Sequence, residues 1–143
     1  MNKKTLLTTL ILSGFIILMS CAKQDDKYLL NQRIEKLAES IEERSVKDVR
    51  EYISSDFLAS DNLSNDKFLM FMHYHFKRNK NISITFLKKE VRLYDNKADV
   101  IADVLLLGAG AWLPERGKAY SVESRWIKEE GDWVMSRLRW TPK

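Results

Sequence analysis

The chain has 143 residues, 24 basic against 20 acidic side chains, and a formal charge of +4, the size of one ordinary domain. Both signs are spread along the sequence with no basic stripe, which excludes nucleic-acid binding as its main activity. A single cysteine excludes a disulfide framework and a paired-cysteine metal site. The fold must therefore rest on its hydrophobic core, for which 45% apolar residues suffice.

Lys3 and Lys4 precede an apolar run from Leu6 to Met19, which is interrupted by Thr8, Thr9, Ser13 and Gly14. The run is too short for a membrane-spanning helix, and small Ser20 follows it, so residues 1–20 read as a secretory signal peptide. Its end, Leu18-Met19-Ser20-Cys21, resembles the lipobox of bacterial lipoproteins. The resemblance implies that Cys21 receives a diacylglyceryl group and becomes the new N-terminus. Only a thiolate supplies the nucleophile for that thioether. A spare cysteine behind a signal peptide and an uncleaved signal anchor remain as alternatives; either leaves the rest of the chain outside the cytoplasm.

Removal of residues 1–20 takes away two lysines and lowers the formal charge to +2. Two or three acyl chains hold a protein on a membrane unaided, so the lipid anchor is the expected membrane contact. Ala22 follows Cys21, and resemblance to enteric lipoproteins implies the outer membrane, facing the periplasm, in a cell with two membranes.

Residues 21–27, the lipidated cysteine and a polar stretch with two aspartates and two lysines, are expected to form a short flexible tether. The domain proper is expected over 28–143. Leu30, Ile34, Leu37, Ala38 and Ile41 recur at three- and four-residue spacing and predict an amphipathic helix. Ser45 is placed to cap a second helix running to about Ile53. Residues 54–62 read as loop. Ser64 caps a third helix carrying Phe68, Leu69, Phe71, Met72, His75 and Phe76, which ends at Arg78-Asn79-Lys80-Asn81.

Beyond Asn81 the period changes to alternation, the mark of strands. Ile82, Ile84 and Phe86 are out of phase with Val91 and Leu93, which predicts a bulge near Lys88 to Glu90. A turn at Asp95-Asn96 leads to a strand over 98–107. A glycine-containing connection with Trp112 and Pro114 follows. The last hairpin pairs Tyr120, Val122, Ser124 and Trp126 with Val134, Ser136, Leu138 and Trp140 across Glu130-Gly131.

Three helices followed by a four-stranded antiparallel meander make an α+β domain, with the helices on one face of the sheet. This order, the bulged long strand and the closing hairpin from Trp126 to Val134 resemble the nuclear transport factor 2-like superfamily, over about Tyr28 to Trp140. The resemblance implies a curved sheet and helices forming a cone with an apolar interior, a cystatin-like roll. Within that superfamily, ketosteroid-isomerase-like, polyketide-cyclase-like and dehydratase-like enzymes use an acid–base residue in the cone; other members bind or assemble without chemistry. No stretch here matches those catalytic sites residue by residue.

The candidate residues stand on their own chemistry. His73 and His75, the only histidines, are two residues apart and turn about 200° from one another on a helix, so they do not share a site, and their spacing fits no zinc pair. His75 shares a face with Phe68, Phe71 and Met72 and either lines the cone or sits at the core's edge. Asp99 and Asp103 lie on one strand face. They either act as a carboxylate pair or join Glu123, Arg125, Arg137 and Arg139 in an ionic lattice on the outer face, the simpler reading. Phe68, Met72, His75, Phe86, Tyr120 and Trp126 are the candidate cavity wall. Trp112 is the candidate mouth or partner contact.

The resulting expectation is a lipid-anchored envelope protein whose domain binds a small apolar ligand or a protein partner, without metal or cofactor. An acid–base enzyme and an accessory subunit of an envelope complex are the alternatives. A homodimer through the sheet face is compatible with the superfamily's habits.

Overall fold

The computed structural model describes residues 24–108 and 117–143. Residues 1–20, expected as a signal peptide, Cys21 and Trp112 lie outside the described residues. Helix α1 covers residues 24–42, and its stripe of Leu30, Ile34 and Leu37 is buried while Glu35, Lys36 and Glu39 face solvent. Residues 24–27, expected as tether, are already helical. A long-range contact holds this first turn, since Asp26 pairs with Lys128 at 2.5 Å.

Arg44 adopts a left-handed conformation with φ 61° and turns the chain into α2, Val46–Arg50. The Ser45 hydroxyl accepts from the Asp48 N–H at 3.3 Å, filling one of the vacant bonds at the helix start. This helix is shorter than the sequence predicts, because Ile53 enters a strand. Strand β1, Ile53–Ala59, lies parallel to the last strand, with Ala59 opposite Leu138. A 3-10 turn, Ser60–Asn62, and a two-residue strand β2, Leu63–Ser64, fold back on it. The stretch read as loop is thus mostly sheet. Its polar Ser54-Ser55-Asp56 gives no local strand signal, and pairing with a segment some 80 residues away decides its conformation.

Helix α3, Asn65–Arg78, buries Phe68, Leu69, Met72 and Phe76. Four long strands follow: β3, Ile82–Tyr94; β4, Lys97–Gly108; β5, Lys118–Glu129; and β6, Asp132–Pro142. The sheet has six strands in the order β2-β1-β6-β5-β4-β3, rather than the four expected. The β3 bulge falls at Leu87, between Phe86 and Lys88, one residue ahead of the expected place. It returns Val91 and Leu93 to the helix side. A second register shift, between Arg125 and Trp126, sets Trp126 opposite Met135 and skips Ser136. Met135, not Val134, therefore joins Leu138 and Trp140 on the inner row. The β5–β6 turn carries Glu130 and Gly131 at φ 52° and 90°, the left-handed pair that tight hairpins require.

Two contacts fasten α1 to the free edge of the sheet. The Glu42 carboxylate accepts from the Ile84 N–H at 2.6 Å, and Lys89 pairs with Glu35 at 2.7 Å. An open β edge invites pairing with other chains, and a carboxylate on its N–H blocks that.

Candidate functional site: an apolar cavity

Between the helices and the inner face of the sheet lies a cavity of about 220 Å³. Helix α1 supplies Ile34, Leu37, Ala38 and Ile41, and α3 supplies Phe68, Phe71, Met72 and Phe76. Strand alternation supplies the rest, with Val100, Ala102 and Val104 from β4 and Tyr120, Val122, Ser124 and Trp126 from β5. The volume is below the roughly 300–1,000 Å³ of drug-sized ligand sites, so it suits a compound of one or two rings.

Among the described residues, one end of the cavity is closed and the other open. Val49, Val100, Trp126 and Met135 are buried, whereas Phe71, Leu106, Tyr120, Leu138 and Trp140 are partly exposed. The open end therefore lies at the C-terminal ends of β4 and β6 and the N-terminal end of β5. At the closed end the β5–β6 hairpin is tied to α1. Lys128 meets Asp26, and Arg33 donates to the Trp133 carbonyl and the Glu51 carbonyl, both at 2.9 Å.

Of the residues picked from sequence, Phe68, Met72, Phe86, Tyr120 and Trp126 stand in this wall. His75 does not. It has the right helical face, but its ring packs on the edge of Phe71 at 4.3 Å and against Tyr74 at 5.2 Å, so Phe71 holds the wall position. Burial, reinforced by the nearby positive Arg78, lowers the pKa of His75 from its usual 6.5 and favours the neutral ring. His73 is exposed.

Asp99 and Asp103 lie on the outer face. Asp99 accepts from the Arg125 guanidinium at 2.8 Å and holds it further toward its charged form; Asp103 pairs with Lys143 at 2.6 Å. The register sets Arg125 opposite both Asp99 and Arg137, and Glu123 opposite Arg139. These carboxylates belong to a solvated ionic lattice on the side of the sheet away from the cavity. Among the described residues, no group of three or more His, Cys, Asp and Glu is placed to hold a metal ion. Nor is any described helix long and apolar enough to cross a membrane.

The described wall contains no Asp, Glu, His, Lys or Arg. Its polar atoms are the hydroxyls of Tyr120 and Ser124 and the indole nitrogens of Trp126 and Trp140. Ser124 accepts from Trp126 Nε1 at 3.0 Å. Sequence reasoning did not single out Ser124, though the signal was there: it is the one serine in the row Tyr120, Val122, Ser124, Trp126. Phe71, Leu138 and Met135 were likewise not picked; the last is hidden by the bulge at Ser136.

No protein-family model and no curated protein matches the sequence. The structure is similar to many solved ones. A candidate scytalone dehydratase from Novosphingobium aromaticivorans matches with TM-score 0.75 at 10% identity, over 87% of this chain and 88% of that one. A candidate dehydratase of the NTF2-like family from Streptomyces avermitilis also gives 0.75 at 10% identity, over 84% of this chain and 98% of that one. Bdellovibrio bacteriovorus Bd1075 gives 0.71 at 10% identity over 80% of this chain, which spans only 40% of that longer protein. At such identities the likeness is one of fold. The described chain has the nuclear transport factor 2-like fold, helices packed on the inner face of a curved sheet.

Proposed function

We propose that the protein is a lipid-anchored envelope protein, held through Cys21, whose cone-shaped domain binds a small apolar compound without transforming it. The observation that carries the binding half is the character of the wall. It combines a preformed cavity, an almost wholly hydrocarbon and aromatic lining, and no described side chain that moves a proton near neutral pH. The dehydratase descriptions of two structural relatives would suggest acid–base chemistry, but the carboxylates that sequence offered for it, Asp99 and Asp103, are engaged in ion pairs outside the cone. The anchoring half rests on the sequence from Lys3 to Cys21.

Titration with 2-isopropylnaphthalene, followed by quenching of tryptophan emission, tests the binding reading. Saturable binding is expected, and Ala38→Phe, which adds a ring from the helical wall into the cavity, should weaken it at least tenfold. Saturable binding unchanged by that substitution would show that the compound sits elsewhere. Turnover of any isomerase, dehydratase or cyclase substrate, lost on changing a residue of the cone, would overturn the non-catalytic reading.

A further inference from the structure

Ser124 is the only aliphatic hydroxyl in the described wall, and its oxygen is held in place. Trp126, 1% exposed, has no freedom to leave, and its indole N–H is donated to Ser124 Oγ at 3.0 Å. A serine hydroxyl has one proton and two acceptor lone pairs. The indole occupies a lone pair, and among the described residues no acceptor takes the proton. Ser124 is half-buried, so its hydroxyl gives up contact with water when a guest fills the cavity, and a guest that brings an acceptor replaces the hydrogen bond lost.

We propose that the cavity selects, among small apolar compounds, those carrying one uncharged acceptor oxygen, such as a ketone, ester or ether, at the end that enters first, and that Ser124 is the residue that reads it. This rests on the binding reading above. Acids and amines are disfavoured, because the described wall offers them no countercharge. Tyr120 stands four residues earlier on the same inner row, its Cα about 13 Å nearer the open end. A compound short enough for this cavity therefore meets Ser124 with its leading end and leaves Tyr120 to the mouth.

The test compares 2-acetylnaphthalene with 2-isopropylnaphthalene, two probes of nearly the same shape that differ in the carbonyl. The readout is the ratio of their dissociation constants in the wild-type protein and in Ser124→Ala, so that their unequal solubility in water cancels. The ratio should shift against the ketone by about threefold to tenfold in the variant, the span of one neutral hydrogen bond. A ratio unchanged within about twofold would overturn the assignment of Ser124. Should Ser124→Ala not fold, the infrared carbonyl stretch of the ketone bound to the wild-type protein decides. A lower frequency than in hexane supports the hydrogen bond, and the hexane frequency refutes it. If neither probe binds, the binding reading falls and this inference with it; if the hydrocarbon binds and the ratio stays put, only this inference falls.

Discussion

Trp126 and Trp140 occupy the same inner face but opposite ends of the cavity, and replacing each by alanine should cost unequal amounts. Deleting a large buried aromatic costs about 3–5 kcal/mol, the upper figures belonging to sites that cannot collapse. Trp126 is 1% exposed and packed at the closed end among buried neighbours, so its loss leaves a void and takes away the Ser124 partner. About 5 kcal/mol is expected, comparable to the whole stability of many domains. Trp140 is partly exposed and stacks on Phe71 with ring centroids 6.3 Å apart. Its removal widens a space that already exists and admits water, so about 3 kcal/mol or less is expected. Urea unfolding followed by circular dichroism on both variants measures the difference, with Trp126→Phe as a milder substitute should Trp126→Ala not fold. Equal losses, or a larger loss at Trp140, would refute the placement of the closed and open ends.

Cys21→Ser should abolish acyl labelling and leave the unprocessed precursor, read by intact-mass spectrometry; normal labelling and mature mass would refute the lipoprotein proposal. Gly117 has φ +80°, and a Cβ there would stand 2.5 Å from Leu107 Cδ2. Gly117→Ala should therefore destabilise the domain by about 1–2 kcal/mol in urea unfolding, and an unchanged midpoint would contradict that backbone. His75 resists protonation in the folded state, so between its lowered folded pKa and the ordinary 6.5 the unfolded chain binds more protons. Stability should accordingly decline as pH falls through 6.5 and level off below the folded pKa. In His75→Gln this part of the urea midpoint–pH profile should flatten; an identical slope in both proteins would show that His75 is not its source.

Periodicity made the local parts of this fold readable. Leu30, Ile34 and Leu37 announce α1 by spacing alone, and the phase change between Phe86 and Val91 announces a bulge, because one extra residue is the only way to keep both on one face. What stayed hidden is non-local. Strand β1 is polar for three of its seven residues and exists because β6 offers it an edge. The bulge at Ser136 leaves no mark, since Val134, Met135 and Ser136 are all buried and alternation fails there. The cavity wall was legible where strands or helices alternate cleanly, at Phe68, Met72, Tyr120 and Trp126. His75 shows the limit of such reasoning: helical angle gives its direction, but only the packed neighbour decides that Phe71 fills the place.

The pins between α1 and the β5–β6 hairpin also govern which way the domain looks. Asp26 on Lys128 and Arg33 on Trp133 clamp the first turns of α1 to the end of the cone that has no opening. From residue 24 to Ile41 the helix then rises about 25 Å toward the open end. With a lipid on Cys21, as proposed, only residues 22 and 23 separate the anchor from this helix, a leash of about 10 Å at full extension from Cys21 to residue 24. Standing on such a leash, the cone would turn its back to the bilayer and the opening among its described residues toward the aqueous compartment. A guest would then arrive from that compartment, or from a protein across it, and one dissolved in the anchoring membrane would have to leave it before it could bind.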